Sequence, residues 1–265
     1  MTTDPAASPG SPASSGSPAS LAGMAGSGRL AALLDRATTG PDDQAWSDLW
    51  TELFHNGTLD VSDPLVMTAL SDMAGGDMAR GDDAGTAAAA LHLAGALLVQ
   101  ADQRWETRDL RQRRASEVAR MVAAAGRLRR TTTDRNDYCY LLEALLGLEG
   151  DIHWAEDLFW GIVNEEYELD CPDPECCAPV WVVVGERGFF STAQDYALSD
   201  DVETLPLRPA APDALDGLGR RLHGMALADG HAEVADALTY AFGEAVCPSC
   251  ERRFPVAGQI AARTG

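Results

Sequence analysis

From Arg29 to Asn164 the apolar positions recur at helical spacing, and after Tyr167 the period shortens. Trp46, Leu49, Trp50, Leu53 and Phe54 fall at i, i+3, i+4, i+7 and i+8, one stripe of an amphipathic helix. Pro41-Asp42-Asp43 opens that helix with carboxylates in the first turn, where the helix dipole favours them, and Asn56-Gly57 closes it. A shorter helix precedes it over about Arg29–Ala37. Another follows from Ser62-Asp63-Pro64 to Gly75-Gly76, with proline in its first turn. After a polar loop over Asp77–Gly85, an Ala/Leu-rich helix is predicted over Thr86–Gln103 and an arginine-rich one over Glu106–Leu128. Two more, Asp134–Leu148 and Ile152–Asn164, are joined by Glu149-Gly150-Asp151 as an antiparallel pair.

After Tyr167, Val180-Trp181-Val182-Val183-Val184 and Phe189-Phe190-Ser191-Thr192 flank Gly185-Glu186-Arg187-Gly188, a β-hairpin by composition and loop length. An acidic, then proline-rich connector fills Ser199–Pro212. Helices resume over Asp213–Ala228 and Ala232–Ala245 around the Asp229-Gly230 turn. Phe254 and Val256, alternating with Arg253 and Pro255, predict a short strand, followed by a weak helix or tail. Residues 1–27 are mostly Ala, Ser, Pro and Gly, too poor in apolar surface to offset their ordering entropy, and read as a disordered tail.

The helices thus come in pairs, and at that level the chain resembles HEAT- and armadillo-like helical repeats over residues 29–166 and 213–246. The resemblance implies a mainly α fold, solenoid-like, with an irregular helical bundle as the alternative; the cysteine stretches at Cys171–Cys177 and Cys247–Cys250 add the expectation of a small β zinc-ribbon insertion. The organisation expected is a tail (1–27), a helical body (28–166), a first ribbon half with a hairpin (167–206), a helix pair (207–246) and a second ribbon half (247–265).

The sharpest chemistry lies in two stretches, Cys171-Pro172-Asp173-Pro174-Glu175-Cys176-Cys177 and Cys247-Pro248-Ser249-Cys250. A Cys-x-x-Cys turn presents two thiolates from one loop, and two such loops complete a tetrahedral zinc site. Cys247 and Cys250 have that spacing. Cys171 and Cys176 are separated by four residues, within the known range, and Cys177 competes with Cys176. In zinc ribbons a small residue, often glycine, follows the second cysteine, which favours Cys176 and leaves Cys177 in that position. The expected ligands of a structural Zn2+ are therefore Cys171, Cys176, Cys247 and Cys250. Disulfides are the alternative. Cys139, alone on a helix, reads as a small core residue. His231-Ala232-Glu233 ahead of Cys247 is similar to a zinc-deaminase signature. The segment between leaves no room for the intervening strand, Val246 stands where that signature has proline, and Cys171 and Cys176 would be unused.

Charge narrows the partners. The chain carries 41 acidic residues against 20 basic ones, all arginine, for a net −21. Such a surface repels phosphate backbones, which disfavours nucleic acid and anionic membranes and suits a basic protein partner. Ten of the 20 arginines lie between Arg104 and Arg135, a positive segment read as a solvated face paired with carboxylates or, less simply, a docking face for an acidic partner or RNA. Without lysine there is no Walker-type or Schiff-base chemistry, and His55, His92, His153 and His223 are scattered. The apolar run at Thr86–Val99 falls short of the roughly 18 residues that span a bilayer, and no charged leader precedes Arg29. A cytoplasmic, non-enzymatic interaction protein is expected, of adaptor or immunity type. The alternatives are an enzyme with an open thiolate site or a zinc-ribbon regulator bound to nucleic acid.

Overall fold

The structure is a computed structural model that describes residues 18–38, 43–54, 64–75, 81–104, 107–155, 157–194, 202–215 and 217–263. It is mainly α with two small antiparallel sheets. The helices of the first part are α1 (Pro18–Thr38), α2 (Asp43–Phe54), α3 (Pro64–Ala74), α4 (Gly81–Asp102), α5 (Leu110–Arg113), α6 (Ala115–Leu128), α7 (Arg135–Glu149), α8 (Ile152–Ala155) and α9 (Leu158–Asn164). There follow β1 (Glu166–Asp170), β2 (Pro179–Gly185), β3 (Gly188–Thr192), β4 (Leu205–Pro206), α10 (Gly217–Asp229), α11 (Ala232–Ala241), β5 (Glu244–Val246), β6 (Arg253–Pro255) and α12 (Val256–Arg263).

Several boundaries depart from expectation. The first helix begins at Pro18 rather than near Arg29, so part of the expected tail is helical. Pro18 is tolerated in a first turn, and no proline follows it before Pro41. α4 starts at Gly81, inside the expected loop. The arginine-rich helix is two helices broken at Arg114, where φ −112 and ψ 28 leave the helical region. No Gly or Pro marks that break, so the periodicity runs through it. α11 stops at Ala241 and gives way to β5. Glu244 bridges to Arg208 there, and Gly243 beside it leaves room for that strand: a Cβ on it would lie 2.3 Å from the Arg208 carbonyl. Val256 belongs to α12, not to a strand. Residues 1–17, Pro41-Asp42, the Asn56-Gly57 stop, the Ser62-Asp63 start and residues 199–201 of the connector lie outside the described residues.

Two apolar cores share one wall. Leu49, Met67, Leu70, Leu91, Leu97, Met121 and Leu145 belong to the first, among α1 to α7. Phe159, Tyr167, Val180, Val182, Leu238, Phe254 and Ile260 belong to the second, with Cys171 and Cys247 at its margin. α7 is buried on both sides: Leu141, Ala144, Leu145 and Leu148 face the first core, and Tyr138, Cys139, Leu142 and Leu146 face the second. Asp134 caps α7 by accepting from the Asn136 and Asp137 amides, and Gly150 ends it in the left-handed conformation at φ 92. α4 is long and apolar enough to cross a membrane by length and composition, which its Thr86–Val99 run alone did not suggest. Here it is a core helix lying along α7.

The larger sheet runs β1-β2-β3-β4. The β2/β3 hairpin is as expected, with Gly185 opposite Gly188. β1 was not anticipated, although Glu166-Tyr167-Glu168-Leu169-Asp170 alternates polar and apolar with period 2 and buries Tyr167 and Leu169. The Ser191 hydroxyl donates to the Val246 carbonyl at 2.7 Å. Arg208 and Glu244 exchange backbone hydrogen bonds at 2.9 Å. These bonds dock the β5/β6 hairpin on the larger sheet and carry the second cysteine loop toward the first.

Candidate metal centre

The first cysteine loop connects β1 to β2, and the second connects β5 to β6. The two loops close alike. The Cys171 amide donates to the Ala178 carbonyl and the Cys247 amide to the Arg252 carbonyl, both at 2.9 Å. Inside them the same turn occurs twice. The Cys177 amide donates to the Asp173 carbonyl at 3.0 Å, and the Glu251 amide to the Cys247 carbonyl at 2.8 Å. Asp173-Pro174-Glu175-Cys176 thus matches Cys247-Pro248-Ser249-Cys250 in both proline placement and fold. The residue after each, Cys177 at φ 45 and Glu251 at φ 60, is left-handed, the conformation for which glycine is usually chosen.

The Sγ atoms of Cys171, Cys176, Cys247 and Cys250 all lie within 4.8 Å of one another. Cys171 and Cys250 are 3.6 Å apart, and Cys176 and Cys247 are 3.9 Å apart. Four thiolates each about 2.3 Å from one tetrahedral ion are about 3.8 Å apart. A disulfide needs about 2.05 Å. The separations therefore suit four ligands around a metal, and all six cysteines are free thiols. Cys177 is exposed, and its Sγ turns back to the Pro174 carbonyl at 3.3 Å, away from the cluster.

Amide donors are built around the sulfurs. Burial pushes the Cys171 thiol up to about 12, against the Asp173 amide, which donates to its sulfur and favours the thiolate. Burial also opposes ionisation of Cys247, but the Cys250 and Ser249 amides and the neighbouring thiols outweigh it and hold that thiol below its usual range. As thiolates the four sulfurs would repel one another at these separations, and a cation among them would offset that repulsion. Cys171 and Cys247 are buried, Cys176 is half-buried and Cys250 is exposed. Asp173 and Arg252, 3.0 Å apart, tie the two loops together beside the sulfurs. That ion pair was not foreseen. Its only signal is the position of Asp173 in the slot that Cys247 fills in the other loop.

Other candidates fall elsewhere. His231 stands at the start of α11, as expected. Its ring stacks on Tyr138 with centroids 3.8 Å apart, and its Nε2 is 2.9 Å from the Thr132 carbonyl oxygen. It is not among the clustered ligands. One ground for setting aside the deaminase likeness fails, however, since β5 does intervene before Cys247. Cys139 is a buried core residue. His92 pairs with Glu143 at 3.1 Å beside a cleft lined by Trp50 and Phe54. The positive segment is largely spent internally. Arg111 binds Asp102 and the Leu148 carbonyl, Arg120 binds Asp72, and Arg135 donates to the Ile162 carbonyl. No family model, curated protein or solved structure matches the chain.

Proposed function

We propose that this chain is a non-enzymatic interaction protein whose C-terminal part is clasped to its helical body by a structural zinc ion. The reading rests on one observation above others. Two loops whose first cysteines are 76 positions apart (247 − 171) place four sulfurs at the separations of a tetrathiolate site. Cys171, Cys176, Cys247 and Cys250 would hold the ion, and the β1–β2 and β5–β6 loops would be the two halves of an interleaved ribbon. With every coordination position taken by sulfur, such an ion has no open position for water or substrate and supplies cross-linking alone. The pairing of α1 with α2, α6 with α7 and α10 with α11 supports a repeat-like body, and the broad contact of α4 with α7 favours the irregular-bundle form. Free thiols around a metal fit a reducing, cytoplasmic setting. The acidic charge fits a basic protein partner and disfavours nucleic acid.

The test is affinity capture from the native host with the metal retained and salt low. A stoichiometric protein partner is expected, and recovery of none counts against the reading. A second reading, an enzyme with an open site, draws on the exposure of Cys250. It requires that Cys250→Ser still binds one zinc per chain. Loss of the ion from that variant removes it.

A further inference from the structure

We propose that the outer edge of β1, with the groove beside it, takes an extended, arginine-bearing segment of the partner protein. This rests on the interaction reading above and names its surface. β1 ends the sheet order. The Cys171 amide donates to Ala178 and the Val184 amide to Glu165, so Glu165, Tyr167, Leu169 and Cys171 are the residues bonded to β2. By the alternation of an antiparallel pair, the backbone N–H and C=O of Glu166, Glu168 and Asp170 point away from the sheet. Such an edge is a template for another strand.

A groove of about 270 Å³ runs along this edge, lined by Asp157, Trp160, Asn164, Glu166, Glu168 and Arg263. Trp160 is 61% exposed, an unusual position for a tryptophan beside a well-packed core. Asp157, Glu166 and Glu168 are in no ion pair among the described residues. An indole face beside unpaired carboxylates suits a guanidinium, which stacks on the ring while its N–H groups reach the oxygens. The Arg263 guanidinium donates to the Glu168 carbonyl on this same edge, so an incoming strand displaces it there while its own arginine takes the same kind of place. An incoming strand with arginine at alternate positions would continue the sheet and set its charges beside Glu166, Glu168 and Asp170. The net −21 charge of the whole chain would draw it in.

The experiment is fluorescence anisotropy of the zinc-loaded full chain with a labelled peptide of alternating arginine and valine. Two control peptides are used, one N-methylated at alternate amides and one with glutamate for arginine. The arginine peptide binds, Trp160→Ala weakens it about tenfold, and Glu166→Gln with Glu168→Gln weakens it and flattens its salt dependence. N-methylation weakens it as well. Equal binding to wild type and Trp160→Ala, equal binding of the N-methylated peptide, or no binding above the glutamate control overturns the proposal. So does self-association of the chain through this edge, seen as a dimer that Trp160→Ala dissolves. A host partner captured equally by wild type and Trp160→Ala removes the groove and leaves the interaction reading standing. Failure to capture any partner counts against that reading alone.

Discussion

Gly95 of α4 and Gly147 of α7 meet backbone to backbone. A Cβ on Gly147 would lie 2.9 Å from the Gly95 carbonyl oxygen, and one on Gly95 would lie 2.9 Å from that of Ala144. The two helices approach this closely only because neither residue has a side chain there. Gly147→Ala is expected to cost about 2 kcal/mol in urea unfolding, as overpacking of a tight contact does. Gly126→Ala on α6, where a Cβ meets nothing, is the counterpart and is expected to stabilise by about 0.5 kcal/mol. Equal effects of the two would mean that α4 and α7 do not cross at these glycines.

Asp229 links the C-terminal helix pair to the body. Its side chain is 3% exposed, pairs with Arg129 and accepts from the Tyr138 hydroxyl at 2.9 Å. Removing the charge leaves the mostly buried Arg129 guanidinium without its counter-ion, so Asp229→Asn is expected to cost about 3 kcal/mol. Tyr138→Phe, which keeps the pair and loses one hydrogen bond, is expected to cost about 1 kcal/mol. Thermal melts of both variants at neutral pH check the order. A Tyr138→Phe change as costly as Asp229→Asn would place the weight on the hydrogen bond instead.

Alkaline stability follows from the same wall. Burial pushes the Tyr138 hydroxyl from 10.0 up to about 12, with Arg129 pulling it partly back, and burial pushes the Cys139 thiol from 9.0 up to about 12. Both groups are neutral in the folded protein while the unfolded chain ionises. Their contribution is therefore complete below their unfolded values and lost as pH climbs, from about 9 for Cys139 and about 10 for Tyr138 until about 12. Stability measured between pH 9 and 12 should fall, and Tyr138→Phe with Cys139→Ala should fall less steeply. An unchanged slope in the double variant would show that neither group carries the effect.

Much of this architecture was legible from periodicity, and the exceptions have physical causes. The stripe of Trp46, Leu49 and Leu53, the Asp134 cap and the Gly150 stop all signal their elements locally. The break at Arg114 leaves no local mark. Residues 242–245 read as more helix because what replaces it is tertiary: Glu244 bridges to Arg208, and Gly243 beside it leaves room for the Arg208 carbonyl. That Cys171, Cys176, Cys247 and Cys250 come together was readable from spacing and from the small-residue rule, and the left-handed φ at Cys177 and Glu251 supplies the reason for that rule. The Asp173–Arg252 pair and the β1 edge depend on which loops face each other, and spacing alone does not state that.

The choice between the adjacent cysteines is open to a simple comparison. Cys176→Ser is expected to lose the ion to a chromophoric chelator at least tenfold more readily than wild type, since a hydroxyl is a poor substitute for a thiolate on zinc. Cys177→Ser, whose sulfur turns back to the Pro174 carbonyl, is expected to hold one zinc per chain with unchanged affinity. Reversal of the two would make Cys177 the ligand and require the first loop to refold.

Whether the four sulfurs form a structural clasp is decided by hydrogen exchange of the intact chain before and after zinc is stripped with a chelator. Without the ion, the amides of β5, β6 and α12 should lose protection first, then those of α10 and α11, while α4 and α7 keep theirs longest. If α10, α11 and α12 remain fully protected in the stripped protein, the metal does not hold the C-terminal part in place and the clasp does not exist.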